Sequence, residues 1–261
     1  MTKSRTVVFY HYFEDDEAIR NLTYFLEVGH NQEADFFIII ADGCSIDLPT
    51  ARNISYIETA NRNYDFGGYA QAVNEVDLTH YEYFVFINSS VRGPFISSSV
   101  KGSWIDAFTN RLQGDVGICG STINVLRPPS DHLFWMTGRM TPGGVAPHVQ
   151  TYAYALRKDA FGFLTNCGFY KQPPSVWSKD ATIANYEIEL SLRLLGAGWN
   201  LDCLALKYSG IDYRTLCLDF NPTSYNGSPL VKGGYFGKNL DPFEIFFVKP
   251  KRNYVDLRVL N

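Results

Sequence analysis

The chain has 261 residues, a net charge of −4 and a 46% hydrophobic share, enough apolar material to bury a core of α/β size. With 19% charged residues and no cluster of Lys and Arg, it lacks the electrostatic footprint of a nucleic-acid-binding surface. No stretch reaches the roughly 18 consecutive apolar residues of a membrane span, and the start MTKSRTVVFYHYF is too short and too aromatic in its apolar part for a signal peptide.

The five cysteines, Cys44, Cys119, Cys167, Cys203 and Cys217, are scattered without a CxxC pair. That pattern suits reduced thiols in a cytoplasmic setting better than a disulfide framework or a zinc site.

Thr6 to Tyr12 predicts a first strand, and the acidic run Glu14 to Glu17 supplies the negative charge favoured at a helix start. Ala18, Leu22, Phe25 and Leu26 recur at helical spacing before Gly29, which ends the helix. A second strand runs from Asp35 to Ala41 and stops at Asp42-Gly43, and Asn53 to Glu58 makes a third. Asn61 to Tyr69 (NRNYDFGGY) reads as a loop leading into a short helix, Ala70 to Val76. There Gly67 and Gly68 let the backbone approach a ligand closely, although the same residues also suit a plain helix-start turn capped by Asp65.

The stretch Tyr81 to Phe95 (YEYFVFINSSVRGPF) organises the rest. Tyr83 to Ile87 are aromatic or β-branched without polar alternation, as in a central strand covered on both faces. At Asn88, Ser89 and Ser90 the chemistry turns small and polar, with Arg92 and the turn Gly93-Pro94 behind it. Ligands of open α/β sheets sit at the carboxyl ends of such strands.

Further on, Trp104 to Leu112 predicts a helix and Asp115 to Asn124 a glycine-studded strand. Arg127 to Val145, rich in Pro, Gly and Met, reads as an irregular loop able to close over a substrate. His148 to Leu156 (HVQTYAYAL) alternates and predicts one strand with a polar, aromatic face towards a cleft. Asn185 to Gly198 is the clearest helix, with Ile188, Leu192 and Leu195 as its inner stripe and Glu189 spaced to pair with Arg193. A strand from Trp199 to Leu206 follows, and from Ser209 a turn-rich tail wraps the body. The whole implies an α/β fold: a mainly parallel central sheet flanked by helices, in a single domain of residues 1–261 with an irregular tail.

The order of these features resembles the glycosyltransferases of the GT-A fold, which bind nucleotide-diphospho-sugars. The likeness is nearest to the bacterial rhamnan-synthesis and polysaccharide-type transferases. It rests on Ala41-Asp42-Gly43-Cys44-Ser45, Tyr64-Asp65-Phe66-Gly67-Gly68-Tyr69, Asn88-Ser89-Ser90 with Gly93-Pro94, and Tyr186-Glu187-Ile188-Glu189-Leu190-Ser191-Leu192-Arg193.

The resemblance covers residues 6 to 206 and implies a nucleotide-sugar half at about 1–95, an acceptor half at about 96–206 and a wrapping tail at about 207–261. It implies a UDP-, dTDP- or GDP-sugar donor and a glycan acceptor, with rhamnose or another hexose transferred with inversion. Asp42 and Asp65 would take the base and ribose, Gly67 and Gly68 would lie close to the donor, and Glu187 would be the base. On a regular helix Glu189 points about 200° away from Glu187, which leaves it to Arg193.

One departure bears on the cofactor. Most GT-A enzymes carry an Asp-x-Asp pair where this chain has Asn88, Ser89 and Ser90. Mg²⁺ or Mn²⁺ wants anionic oxygen ligands, so a divalent cation stays open but disfavoured, and Arg92 is the candidate to neutralise a diphosphate instead. His148 is open to two readings, a metal or phosphate contact or a hydrogen-bonded residue of the fold. The missing carboxylates also leave a second class open, a catalytically silent nucleotide-sugar or glycan-binding module. A Rossmann-type oxidoreductase is disfavoured, because FYHYFEDD lacks the glycines that pyrophosphate approach requires.

Overall fold

The computed structural model describes residues 5–97, 102–127, 144–173, 175–252 and 255. Nine strands are found among them: β1 Thr6–Phe13, β2 Ala34–Ala41, β3 Ile54–Thr59, β4 Tyr83–Asn88, β5 Val116–Gly120, β6 Ile123–Leu126, β7 Ala146–Val149, β8 Ala153–Arg157 and β9 Asn200–Cys203. Seven form one sheet in the order β3-β2-β1-β4-β8-β5-β9, and β6 and β7 form a separate antiparallel ribbon. Within the large sheet only β8 runs against its neighbours. This is the mainly parallel α/β sheet that the unbroken apolar runs predict, since strands covered on both faces need no polar alternation. Val7, Val8, Phe9, Ile39, Val85, Phe86 and Ile87 are all fully buried.

Helix α1, Asp16–Tyr24, begins where the acidic run places it, with the Asp15 carboxylate accepting from the Glu17 and Ala18 amides. A π-helical turn, Phe25–Gly29, prolongs it, and the chain leaves at Gly29 as expected. Helix α2 departs from expectation by starting at Tyr64 and running to Glu75, so that Gly67 and Gly68 lie inside it. They are there to pack. A Cβ on Gly67 would stand 1.6 Å from the Arg62 carbonyl oxygen, and one on Gly68 would stand 2.4 Å from the His11 ring.

Helix α3, Trp104–Thr109, carries a capping box between Ser103 and Asp106. Helix α4, Lys158–Asn166, has no counterpart among the sequence-predicted elements. The last long helix is composite, α5 Lys179–Thr182, a π-helical segment Ile183–Ile188 and α6 Glu189–Gly196, and so begins earlier than the predicted Asn185.

Two predicted strands prove to be two each. Asp115 to Asn124 breaks at Ser121 and Thr122 into β5 and β6, and His148 to Leu156 breaks at Gln150–Tyr152 into β7 and β8. Alternation reports which residues share a face and does not report which sheet pairs with the chain; here the chain passes from the ribbon into the main sheet. Most of the expected loop Arg127–Val145 lies outside the described residues.

The tail does wrap the body. Leu230, Leu240, Ile245, Phe247 and Val248 are fully buried in the same core cluster as β1 and β4, and a short helix α7, Pro242–Ile245, turns the chain back towards β4. Among the described residues no helix is long and apolar enough to cross a membrane.

Candidate functional site

A cavity of about 550 Å³ opens at the carboxyl ends of β1 and β4. These two strands are neighbours, yet β1 connects to β2 on one side while β4 arrives on the other after β3. That is the switch point of the sheet, where diverging connections leave a crevice.

His11 and Phe13 enter from β1, and Asn88, Ser89 and Ser90 from the turn after β4. The turn is held rigidly. The Ser89 amide donates to the His11 carbonyl at 2.9 Å, the Asn88 amide to the Tyr152 carbonyl at 3.1 Å, and the buried Asn21 side chain to the Ser89 carbonyl at 3.0 Å. The Ser89 hydroxyl donates to the Phe13 carbonyl at 3.4 Å and accepts from the Phe13 amide at 3.3 Å. The Asn88 side chain donates to the Asp65 carboxylate at 2.7 Å, while its oxygen accepts from the Ser90 amide and hydroxyl.

Asp65, in the first turn of α2, is thereby aimed into the cavity. Burial pushes its pKa up to about 6, and the charge of Glu187 adds to the rise, whereas the Asn88 hydrogen bond and Lys249 work the other way. His11 is buried, its Nε2 makes no hydrogen bond, and burial lowers its pKa to about 4, so it stands as a neutral ring.

Glu187 comes from the π-helical segment on the opposite side. Its carboxylate accepts from the Thr151 hydroxyl at 3.4 Å and lies 3.9 Å from the Nε2 of His148, a side chain 3% exposed against 26% for Glu187. The other ring nitrogen of His148 faces the Ala146 carbonyl at 2.9 Å. A carbonyl can only accept, so Nδ1 carries the proton there. Glu189 turns away and holds Arg193 at 2.6 Å, as its spacing predicts.

Asp65, Asn88, Ser89, Ser90 and Glu187 therefore share one cavity. The remaining sequence-predicted site residues lie elsewhere. Asp42, exposed at the end of β2, accepts from the Asn61 amide at 3.0 Å and meets the cavity only through Asn61, which lines it. Gly67 and Gly68 pack against Arg62 and His11 and do not line it. Arg92 points to α1, pairing with Glu17 at 2.6 Å and with the Asn21 oxygen at 3.1 Å. Its backbone exchanges hydrogen bonds with Val248 in both directions, at 2.9 Å each, and its largely buried side chain is held by α1.

The cations of the cavity come from other places, Lys179 at the start of α5 and Lys249 and Arg252 from the tail. Lys249 stands over the Tyr152 ring at 5.3 Å. Burial lowers its pKa, Arg252 and Lys179 lower it further, and Glu187 and Asp65 raise it. The one signal for it in the sequence is the basic run Lys249-Pro250-Lys251-Arg252 directly after the apolar Ile245 to Val248.

The residues present do not suit the divalent cation that most enzymes of the resembled family carry. Among the described residues no three His, Cys, Asp or Glu side chains come together in a metal-binding cluster. The oxygens after β4 are neutral and already engaged, the Asn88 oxygen with Ser90 and the Ser89 hydroxyl with the Phe13 backbone, whereas Mg²⁺ and Mn²⁺ favour carboxylates.

No family model and no curated protein matches the chain. Among solved structures it is similar to the mannosyltransferase of Pyrobaculum calidifontis in complex with GDP-Man and Mn²⁺, at 11% identity and a TM-score of 0.44 over 76% of this chain and 54% of that one. It is similar to the 4-diphosphocytidyl-2C-methyl-D-erythritol synthase of Anaerococcus prevotii at 11% identity and a TM-score of 0.40, covering 83% and 93%. The catalytic domain of Drosophila β1,4-galactosyltransferase 7, in complex with xylobiose, follows at 11% and 0.38, covering 82% and 68%. The chain thus spans about half the length of the Pyrobaculum enzyme. Their names carry different activities.

Proposed function

We propose that this protein transfers a glycosyl group from a nucleoside-diphosphate sugar to an acceptor hydroxyl, with Glu187 as the base. The observation that carries the reading is the shared cavity. A carboxylate from a late helix faces a polar strand-end turn and a second carboxylate, at the switch point of a mainly parallel sheet.

In that reaction the acceptor oxygen attacks the anomeric carbon as Glu187 takes its proton. The bond from that carbon to the phosphate oxygen breaks, and the nucleoside diphosphate leaves with the electron pair. Attack from the face opposite the leaving group inverts the centre. Asp65, ionised above pH about 6, suits the hydroxyls of a ribose, each of which donates to a carboxylate. The Thr151 hydroxyl orients Glu187. The likeness of the four sequence motifs to rhamnan-synthesis and polysaccharide-type transferases supports a hexose or deoxyhexose such as rhamnose as the group moved, and a glycan as acceptor.

The test is Glu187→Gln. Release of nucleoside diphosphate in the presence of acceptor should fall by roughly 10²- to 10⁴-fold, while calorimetry finds donor affinity unchanged or tighter, since a negative charge has left the cavity. Turnover near that of the unsubstituted protein would remove Glu187 from the chemistry. Thermal-shift screening of UDP-, GDP- and dTDP-sugars selects the donor for the assay, because a ligand of the native state raises its melting temperature.

A further inference from the structure

We propose that Lys249, assisted by Arg252 and Lys179, holds the diphosphate of the ligand and fills the place of a divalent cation in this site. The inference rests on the reading of the cavity as a nucleoside-diphosphate-sugar site.

Among the described residues, the charged ones lining the cavity are two carboxylates, Asp65 and Glu187, and three cations, Lys179, Lys249 and Arg252. A diphosphate brought into this space meets carboxylate repulsion unless positive charge stands among the acids. Elsewhere on this fold a metal supplies that charge, but a metal needs anionic ligands that the turn after β4 does not offer. Lys249 needs none, because it brings its own positive charge and three N–H donors. Its ammonium is attracted by both Glu187 and Asp65, so it lies in the field of both carboxylates at once. Partial burial strengthens its attraction for an anion relative to a surface lysine.

The fold also fixes the backbone that carries Lys249. Val248, the residue before it, pairs its backbone with Arg92, and the Phe95 amide donates to the Phe246 carbonyl at 2.8 Å. Gly93 makes room for this crossing, since a Cβ there would stand 2.3 Å from the Phe246 oxygen. Phe247 is fully buried, with its ring 5.4 Å from Trp104 and 6.2 Å from Phe108. The backbone beneath Lys249 therefore needs no reordering when its side chain meets a phosphate. When the bond to the anomeric carbon breaks, negative charge grows on the diphosphate, and a preplaced cation there favours that step.

The experiment is calorimetric titration of UDP, GDP and dTDP in excess EDTA and, separately, with Mg²⁺ or Mn²⁺. One nucleoside diphosphate should bind in EDTA within about twofold of its affinity with metal. Lys249→Met should weaken it by about 10- to 100-fold, the range of one charge-assisted hydrogen bond. The loss should shrink for the corresponding monophosphate and vanish for the nucleoside, a gradient that a merely structural lysine does not produce. Lys249→Arg should keep most of the affinity, and Arg252→Ala, at an exposed position whose loss leaves the core intact, should cost about three- to tenfold.

Binding that requires Mg²⁺ or Mn²⁺ overturns the inference and leaves glycosyl transfer standing. So does binding of the diphosphate by Lys249→Met and Arg252→Ala at the affinity of the unsubstituted protein. No nucleoside diphosphate bound under either condition overturns both readings.

Discussion

Asp65 is a carboxyl that its surroundings would rather keep neutral. Its pKa in the fold is about 6, above the ordinary 3.8 that it regains on unfolding. The native state therefore binds this proton more readily than the unfolded chain between those two values. The penalty for holding Asp65 ionised is fully present above pH 6, is relieved as pH falls through that window, and is gone below it. Asp65→Asn should raise stability at pH 8 by about 1–2 kcal/mol and leave it nearly unchanged at pH 3.5, as urea unfolding at the two values would show. It should also weaken nucleoside-diphosphate binding, which separates what the residue does for the site from what it costs the fold. An Asn variant less stable at pH 8 would mean that Asn88 and Lys249 outweigh burial. Asn88 is legible in the sequence because it ends the unbroken apolar run of β4, whereas Asp65 and Glu187 are singled out by the resemblance of their motifs, the starts of both their helices lying earlier than the sequence predicts. Lys249 is not legible, because residues 207–252 hold only short helical turns and isolated bridges, with no period to project. Arg92 misleads for a related reason: the sequence shows its charge beside the polar turn but neither the tail segment that pairs with its backbone nor the Glu17 that holds its side chain.

At the level of elements, glycine marks opposite needs in two helices. Gly68 lets α2 approach β1 and β2, as an added Cβ would lie 2.4 Å from the His11 ring and 3.0 Å from Ile39. Gly162, inside α4, has nothing within 4 Å of where a Cβ would stand. Gly68→Ala should destabilise by about 1–3 kcal/mol through overpacking, and Gly162→Ala should stabilise by up to about 1 kcal/mol through lower backbone entropy in the unfolded chain. Chemical denaturation of the two variants checks both signs, and equal effects would refute the packing account. The strands of the parallel half are readable because runs such as FFIII in β2 and YFVFI in β4 need cover on both faces. The β5–β6 and β7–β8 breaks are not, since Ser121 and Thr151 continue the polar–apolar rhythm while the chain changes partner. The π-helical segment Ile183–Ile188 is invisible as well: the apolar stripe beyond it keeps ordinary helical spacing.

Across the whole molecule, the tail is part of the core as much as of the site. Phe247→Ala should lower stability by about 3–5 kcal/mol, because the ring is fully buried against Trp104 and Phe108. It should also weaken nucleoside-diphosphate binding, because Lys249 rides on the same tail segment; a variant that loses stability yet binds normally would separate the two. The tail returns to the very beginning of the sheet. Lys251 pairs with Asp15 at 2.7 Å across 236 positions of sequence. At the usual pace of synthesis, about 5–20 residues per second, that gap takes roughly 10–50 s to translate. Until then the chain has Asp65, Glu187 and Lys179 of the cavity lining but neither Lys249 nor Arg252. The same segment that completes the core thus brings Lys249 and Arg252 to the cavity, so packing and site close together.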